Sequence, residues 1–324
     1  GLYSASADSI PILCITGQAP RARLYKEDFQ AVDIESISKP VTKWSVQIER
    51  ADEIAPIMRR AFKVATDAPQ GPVFVSLPID VLEQETVVDA STPDNLWRST
   101  RPDPAGIDAL VALLLKSKNP AIVAGDDVAR SGGEEALVAL AEAIGATVWF
   151  EGLRHHAPFP TSHPSYRQSV PGDARQVRKA LGDTDLVLLI GGPFFEDIWF
   201  APGGHIPDGA ALLQIEASAE RLALNNRLDA GIVGDIAVSL GALTDALRAK
   251  AGAAFRDAAQ GRNAMLAELQ RKEKDAYRAR VEKGWDREPS SMPRVTAELR
   301  RGLPDDVVIV DESITASLDL ARAF

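Results

Sequence analysis

Residues 120–152 read PAIVAGDDVARSGGEEALVALAEAIGATVWFEG and contain two short apolar runs with a helical pattern between them. The runs PAIVA and ATVWF are predicted as strands because they are short, apolar and ended by glycine or a polar residue. The intervening GGEEALVALAEAIG repeats leucine and alanine at helical spacing. This order of strand, helix and strand predicts parallel pairing through a crossover connection.

The same alternation extends over residues 105–250. A helix is predicted in AGIDALVALLLKSK before the quoted stretch, and another in ARQVRKALG after it. Further strands are predicted in DLVLLIGG, ALLQIEA and AGIVGD, and the helix IAVSLGALTDALRAKAG completes the pattern. Strands that alternate with helices in this way predict a doubly wound, Rossmann-like α/β domain with a parallel sheet.

A shorter strand–helix–strand pattern lies within residues 1–88. PILCITG and GPVFVSLPID are predicted as parallel strands, the first covered on both faces, with a helix in ADEIAPIMRRAFKVATDA between them. Residues 89–104 are rich in proline, serine and threonine and are predicted as a linker.

The C-terminal part of the chain predicts a connecting helix and the start of another domain. Residues 251–290 are predicted as a helical linker, exposed to solvent because acids and bases are interspersed. A helix with Ser291 as N-cap follows, then a buried strand over 307–310, VVIV, and the beginning of a helical stripe. Because the chain stops there and does not begin with methionine, we expect it to be cut at both ends.

Composition excludes several classes of partner. The formal net charge of −10 argues against binding to nucleic acid or to an anionic membrane surface, both of which need clustered Lys and Arg. No apolar run approaches the roughly 18 residues of a membrane span, and the N-terminus lacks signal-peptide features. The single cysteine, Cys14, predicts a small buried hydrophobe and a reducing, cytoplasmic compartment.

The middle block offers little cofactor chemistry of its own. After PAIVAG, Asp126 and Asp127 occupy the place where a phosphate would arrive, and their carboxylates would repel it. Glu151 could hold a ribose, although a cap or surface acid is favoured. Three histidines in RHHAPFPTSHP lie in a proline-rich loop, for which packing between domains is favoured over zinc binding.

The polar connection 18–43 is a better candidate for a binding site. It follows a predicted strand, at the end of the sheet where open α/β folds bind ligands. A basic, amide-bearing rim suits a small carboxylate, while an ordinary solvent-exposed loop is an equal alternative. The rim residues are Gln18, Arg21, Arg23, Lys26, Phe29 and Gln30.

Several segments resemble one enzyme family, in register along essentially the whole chain. They are SIPILCITGQAPR, DFQAVDIESISKPVTKW, APQGPVFVSLP, NPAIVAGDDV, APFPTSHPSYR and VVIVDES. These segments resemble the thiamine-diphosphate-dependent enzymes of the acetolactate synthase, benzoylformate decarboxylase and glyoxylate carboligase family.

The resemblance implies a domain organisation. Residues 1–88 resemble the C-terminal half of a pyrimidine-binding domain, 105–250 a complete middle domain, and 291–324 the start of a diphosphate-binding domain. It implies thiamine diphosphate and Mg²⁺ as cofactors. The glutamate that activates the aminopyrimidine would precede Gly1, and the magnesium-binding segment would follow Phe324, so we expect no complete catalytic site in this chain.

Some functional residues follow from the resemblance. Phe29 and Gln30 match an FQ pair that faces the substrate, and Lys43 matches a lysine near that pocket. Thr315, Ala316 and Ser317 fall where the family approaches the diphosphate.

Other positions depart from the family. Flavin (FAD) is not expected, because GGPFFEDIWF stands where the flavin-binding synthases carry an arginine-rich turn. Met292 replaces a catalytic histidine of the benzoylformate decarboxylases. A thioether cannot transfer protons, so either the substrate differs or another group does that work.

The implied activity is decarboxylation or carboligation of a 2-keto acid by a homo-oligomer, a dimer or tetramer. The thiazolium ylide of the coenzyme would add to the keto carbonyl, and carbon dioxide would leave. The alternative is a non-catalytic α/β binding or assembly module that retains the fold. A further hypothesis is acyl-coenzyme A chemistry with a nucleotide bound in the middle domain. Asp126 and Asp127 argue against it, because their carboxylates would repel the phosphates of a nucleotide.

Overall fold

The computed structural model describes residues 1–26, 31–87, 89, 91, 99–313 and 315–324, and these contain two parallel sheets. The first has three strands in the order β1-β3-β2. Its strands are β1 (Leu13–Gln18), β2 (Trp44–Gln47) and β3 (Val73–Pro78). The helices of this part are α1 (Leu2–Ala7), α2 (Ile34–Ser38), α3 (Ile54–Thr66) and α4 (Ile79–Leu82), with 3₁₀ turns at Arg21–Arg23, Lys39–Val41 and Ala51–Glu53. The predicted parallel pairing of β1 with β3 is confirmed.

The second sheet has six parallel strands in the order β6-β5-β4-β7-β8-β9. They are β4 (Pro120–Ala124), β5 (Thr147–Phe150), β6 (Tyr166–Ser169), β7 (Leu186–Ile190), β8 (Ala211–Glu216) and β9 (Ala230–Val233). The helices are α5 (Pro104–Leu114), α6 (Asp127–Arg130), α7 (Glu134–Ile144), α8 (Ala174–Leu181) and α9 (Ile236–Lys250). The chain reverses its winding between β4 and β7, which confirms the doubly wound prediction.

Side chains alternate between the two faces of this sheet. Ile122 and Leu188 lie in one buried cluster with residues of α5, α7 and α9, including Leu110, Leu140 and Leu240. On the other face, a second cluster packs beneath α8. Its members include Val123, Leu189, Val177 and Leu181. Burial of apolar side chains on both faces explains why these strands read as continuous hydrophobic runs.

Local side-chain contacts fix where the helices start and stop. Asp103, Asp173 and Asp235 each accept a hydrogen bond from a backbone N–H in the first turn of α5, α8 and α9. Gly145 ends α7 in the left-handed conformation, with φ of 61°. These capping groups explain the sharp boundaries of the central helices.

The C-terminal helices are α10 (Ala253–Lys283), α11 (Met292–Gly302) and α12 (Ser317–Ala323). The long connecting helix is as predicted. Ser291 occupies the N-cap position of α11, but its hydroxyl donates to the carbonyl of Gly284, 3.2 Å away, instead of capping the helix. In the described ranges, no helix combines the length and apolarity needed to cross a membrane.

Two expectations about strands are wrong. β1 is not covered on both faces, because Ile15 is 50% exposed and Cys14 is only half-buried. Residues 307–310 form no strand, and Val308 and Val310 are 86% and 91% exposed. An apolar run becomes a strand only where a neighbour accepts its backbone hydrogen bonds, and both described sheets are built without this segment.

Candidate functional site

The carboxyl ends of β1, β2 and β3 meet at one edge of the small sheet, where the polar connection begins. Gln18, the last residue of β1, is 7% exposed. Its Nε2 donates to the carbonyl of Val32 at 2.7 Å, and its Oε1 accepts from the N–H of Ala19 at 2.9 Å. The amide of Gln18 is thus occupied in fixing the connection against the sheet.

Arg21 links this connection to the ends of the other strands. Its backbone N–H and Nε donate to the carboxylate of Asp80 at 3.0 and 2.8 Å. Its Nη1 donates to the carbonyl of Glu49 and lies 3.5 Å from that carboxylate. The backbone N–H of Arg21, followed by its guanidinium, lowers the pKa of Asp80. Two acids therefore compensate the charge of Arg21, which weakens the predicted basic rim.

Phe29 and Gln30, the predicted substrate-facing pair, lie outside the described residues. Lys43, the third predicted residue, is described. Its Nζ donates to the carbonyls of Val64 and Asp67 at 2.6 and 2.7 Å, at the C-terminal end of α3. A cation at this place satisfies helix carbonyls that have no partner inside the helix. The substrate-facing role of Lys43 stays a prediction beside this capping contact.

Replacing Lys43 with methionine is expected to lower the free energy of unfolding by about 1–2 kcal/mol, because two charge-assisted hydrogen bonds to the end of α3 are lost. Urea denaturation of the variant and its parent measures the change. Lys116→Met, at an exposed lysine just after α5, is the matched control and should change stability by less than about 0.5 kcal/mol. Equal stabilities for the two variants would contradict the capping role.

Thr315, Ala316 and Ser317 form the turn that leads into α12. Ala316 is the N-cap residue, and the N–H of Asp319 donates to its carbonyl at 3.0 Å. The hydroxyl of Ser317 donates to the carbonyl of Ser313, while Thr315 is exposed. These bonds close the turn on itself, and its predicted contact with a diphosphate stays a prediction.

A second polar edge lies at the carboxyl ends of the strands of the central sheet, where its winding reverses between β4 and β7. The loops after β4 and β7 touch there, since a Cβ built on Gly125 would lie 2.4 Å from the carbonyl oxygen of Gly191. The N–H of Gly125 donates to Ile190 at 2.9 Å, and the N–H of Asp127 donates to Gly191 at 3.0 Å. The crevice that often holds a ligand in such sheets is narrowed here by direct backbone contact.

Asp126 and Asp127 both have structural partners at this edge. The carboxylate of Asp126 is 8% exposed and accepts from the N–H groups of His155 and His156 at 2.9–3.0 Å. Asp127 pairs with Arg130 at 2.8 Å and with Arg221 at 3.3 Å. The two carboxylates therefore hold neighbouring loops together.

Two more buried carboxylates lie at this edge: Glu151 directly follows β5, and Glu216 is the last residue of β8. Glu151 is 3% exposed, and burial raises its pKa although the N–H of Phe195 donates to it at 3.0 Å. Glu216 is fully buried, and burial raises its pKa to about 7. Its Oε1 accepts from Gln214 Nε2 at 2.9 Å, whereas its Oε2 has no hydrogen-bond partner. Glu216 is thus a buried carboxyl group whose pKa lies near neutrality.

The N-terminal segment docks on this edge. Arg130 donates to the carbonyl of Asp8 at 3.1 Å, and Arg221 donates to the hydroxyl of Ser9. Nε2 of His155 lies 3.4 Å from the carboxylate of Asp8. His155 of the histidine-rich loop thus contacts the N-terminal segment, and the predicted packing of this loop between domains stays a prediction.

Sequence reasoning missed the arginines and Glu216 in this cluster. A weak signal existed for Arg130, which follows Asp127 at the i,i+3 spacing of helical ion pairs. Glu216 ends an apolar run, but nothing in its local sequence shows that Asp127 and Arg221 come from other loops to surround it. Among the described residues, no group of three His, Cys, Asp or Glu side chains could hold a metal ion.

Comparison with known proteins connects this architecture to one family. Residues 107–243 match the family model "Thiamine pyrophosphate enzyme, central domain". Benzoylformate decarboxylase of Pseudomonas aeruginosa is 32% identical over 244 residues, which are 74% of this chain and 46% of that protein. Glyoxylate carboligase of Escherichia coli O157:H7 is 47% identical over 145 residues, which are 44% of this chain and 24% of that protein.

The fold agrees with a solved structure of the same group. The crystal structure of benzoylformate decarboxylase from Polynucleobacter necessarius superposes with a TM-score of 0.79 at 23% identity, which shows the fold alone. The superposition covers 100% of this chain and 57% of the chain of that decarboxylase. The chain spans about half the length, or less, of the proteins it matches. With its central domain matched and its sequence related over most of its length, the chain belongs to the thiamine-diphosphate-dependent enzyme family of benzoylformate decarboxylase, glyoxylate carboligase and acetolactate synthase.

Proposed function

We propose that the protein to which this chain belongs is a thiamine-diphosphate-dependent decarboxylase or carboligase that acts on a 2-keto acid. The observation that carries this proposal is the 32% identity to benzoylformate decarboxylase across 74% of the chain. The 47% identity to glyoxylate carboligase over 145 residues supports the same reaction class. Loss of carbon dioxide and formation of a new carbon–carbon bond are alternatives within that class.

The described residues would contribute part of such a site. We propose that 1–88 belong to a pyrimidine-binding domain, 105–250 to the middle domain and 291–324 to a diphosphate-binding domain, with 89–104 and 251–290 as linkers. The coenzyme would supply the carbanion-stabilising thiazolium ring. The described residues offer no cluster of carboxylates for its magnesium ion, so they do not by themselves fit the magnesium-bound coenzyme.

The remaining roles are proposals supported by sequence. Phe29, Gln30 and Lys43 would face the 2-keto acid, and the turn 315–317 would approach the diphosphate through backbone N–H groups. We further propose Mg²⁺ as the metal, a homodimer or homotetramer as the assembly, and the cytoplasm as the location. A single free cysteine supports a reducing compartment.

Calorimetric titration with thiamine diphosphate and Mg²⁺ tests the proposal. On the 324-residue chain we expect no saturable binding at micromolar coenzyme, because the described residues lack a metal site. On the complete gene product we expect saturable binding together with carbon dioxide release from a panel of 2-keto acids.

The outcomes separate the two candidate functions. A complete gene product that binds no coenzyme would contradict the enzyme and favour the non-catalytic assembly module. Micromolar binding by the 324-residue chain would contradict the view that its site is incomplete.

A further inference from the structure

A basic cavity lies on the face of the middle domain covered by α8. It has a volume of about 270 Å³ and is lined by Arg175, Arg178, Lys179 and Pro202. The first three residues belong to α8, and Pro202 belongs to the loop that joins β7 to β8. The cavity was not predicted from the sequence, and none of its lining residues belongs to the two polar edges described above.

The loop is held at two points, one just before α8 and one on α8 itself. At one end, the N–H groups of Ile198 and Trp199 donate to the carbonyl of Gly172 at 2.9 and 3.0 Å. At the other end, Arg178 donates from Nε, at 3.0 Å, and from Nη2 to the carbonyl of Gly204. Pro202 lies between these anchors in the sequence and forms the loop side of the cavity.

The charge in this cavity is unusual for a chain with net charge −10. Arg175, Arg178 and Lys179 stand at i, i+3 and i+4, so they share one face of α8. Like charges at these spacings destabilise a helix by about 0.2–0.5 kcal/mol per pair. A bound anion would offset that repulsion, because each of the three cations is attracted to it.

Nearby carboxylates are already engaged elsewhere. Asp173 caps α8 by accepting from the N–H of Gln176 at 2.9 Å. Asp197 accepts from Nε2 of His205 at 2.9 Å. In the part of the chain that the structure describes, neither Arg175 nor Lys179 forms a salt bridge. Lys179 therefore remains free to bind a ligand, while the charge of Arg175 contributes to the lowered pKa of the capping carboxylate of Asp173 without forming a salt bridge. Both lie beside a guanidinium already oriented by Gly204.

We propose that this cavity binds the phosphate group of a small phosphate monoester. Arginine forks pair with two phosphate oxygens at once, and the lysine ammonium adds a third charged donor. The cavity holds a phosphate with room for a compact organic group. Trp199 and Phe200 do not line the cavity, but they precede Pro202 on the same loop and are 68% and 93% exposed. The proposal concerns the middle domain and does not depend on the coenzyme chemistry.

Calorimetric titration of the 324-residue chain at constant ionic strength tests the proposal, with inorganic phosphate, a sugar phosphate and a nucleoside monophosphate as separate probes. The test variant is Arg175→Gln/Lys179→Gln, at two exposed positions where glutamine preserves helix propensity. We expect saturable binding by the parent and a dissociation constant raised about tenfold or more per lost charge-assisted bond.

The control removes the same charge from another helix. Lys274→Gln/Lys283→Gln lies on exposed positions of α10 and should leave the dissociation constant within about twofold of the parent. Tighter binding of an organic phosphate than of inorganic phosphate would identify a metabolite site, whereas equal binding would identify a site for the free ion. No saturable binding by the parent, or equal weakening in both double variants, would overturn the proposal.

Discussion

Gly125→Ala is expected to lower the free energy of unfolding by about 3 kcal/mol, close to the upper range for overpacking substitutions. The new methyl group would lie 2.4 Å from the carbonyl oxygen of Gly191 and 2.8 Å from the Cα of Gly192. Both neighbours are backbone atoms, so no side-chain rotation relieves the contact. The loops after β4 and β7 would have to separate, which breaks the hydrogen bonds between them.

Urea denaturation followed by circular dichroism measures this change. Gly241→Ala is the matched control, because Gly241 lies within α9 and a Cβ there meets no atom within 4 Å. Alanine at that helical site should be neutral or should stabilise the protein by up to about 1 kcal/mol. A Gly125→Ala protein as stable as the parent would show that the two loops are not packed as described.

Glu216→Gln is expected to remove a pH dependence of about 3 kcal/mol from the stability of the protein. Burial raises the pKa of Glu216 from 4.5 to about 7 in the folded state, so the folded state retains a proton that the unfolded state has already lost. The contribution of this group to stability is therefore complete below pH 4.5 and is lost as the pH rises to about 7. Glutamine keeps the acceptor for Gln214 and does not ionise.

The measurement is the difference in unfolding free energy between variant and parent, taken at intervals from pH 5 to pH 8. This difference cancels the titration of groups that both proteins share. As the pH rises, the Glu216→Gln variant should become more stable relative to its parent. Glu268→Gln is the control: Arg271 lowers the pKa of Glu268, so its contribution is lost only in acid, below this window. Parallel profiles for Glu216→Gln and its parent would contradict the assignment.

The central fold could be predicted from sequence because its strands are buried on both faces. LVLLI and PAIVA are continuous apolar runs, and each has a helix pattern beside it. β6 was missed because its sequence, YRQS, is polar, and it pairs irregularly with β5 at one edge of the sheet. β2 was missed because WSVQ, directly after the polar connection 18–43, is only four residues long and half of it is polar.

The polar clusters were harder to predict than the fold. The positions of Asp126 and Asp127 after a strand were visible in the sequence, but their partners Arg221 and His155 come from distant loops. Lys43 shows the same limit: its family match indicates a substrate pocket, while its carbonyl contacts depend on how α3 ends. Long-range contacts of single polar side chains leave no periodic signal.

The exposed run at 307–310 has a consequence for handling the protein. Val307 and Ile309 are half-buried, whereas Val308 and Val310 face solvent. An unpaired β-branched segment of this kind is a template for self-association into intermolecular sheets. Two acids flank it on each side: Asp305, Asp306, Asp311 and Glu312. Asp305 is paired with Arg300, and the other three carboxylates leave negative charge on both sides of the run. We therefore expect light scattering to rise on acidification before the central domain melts.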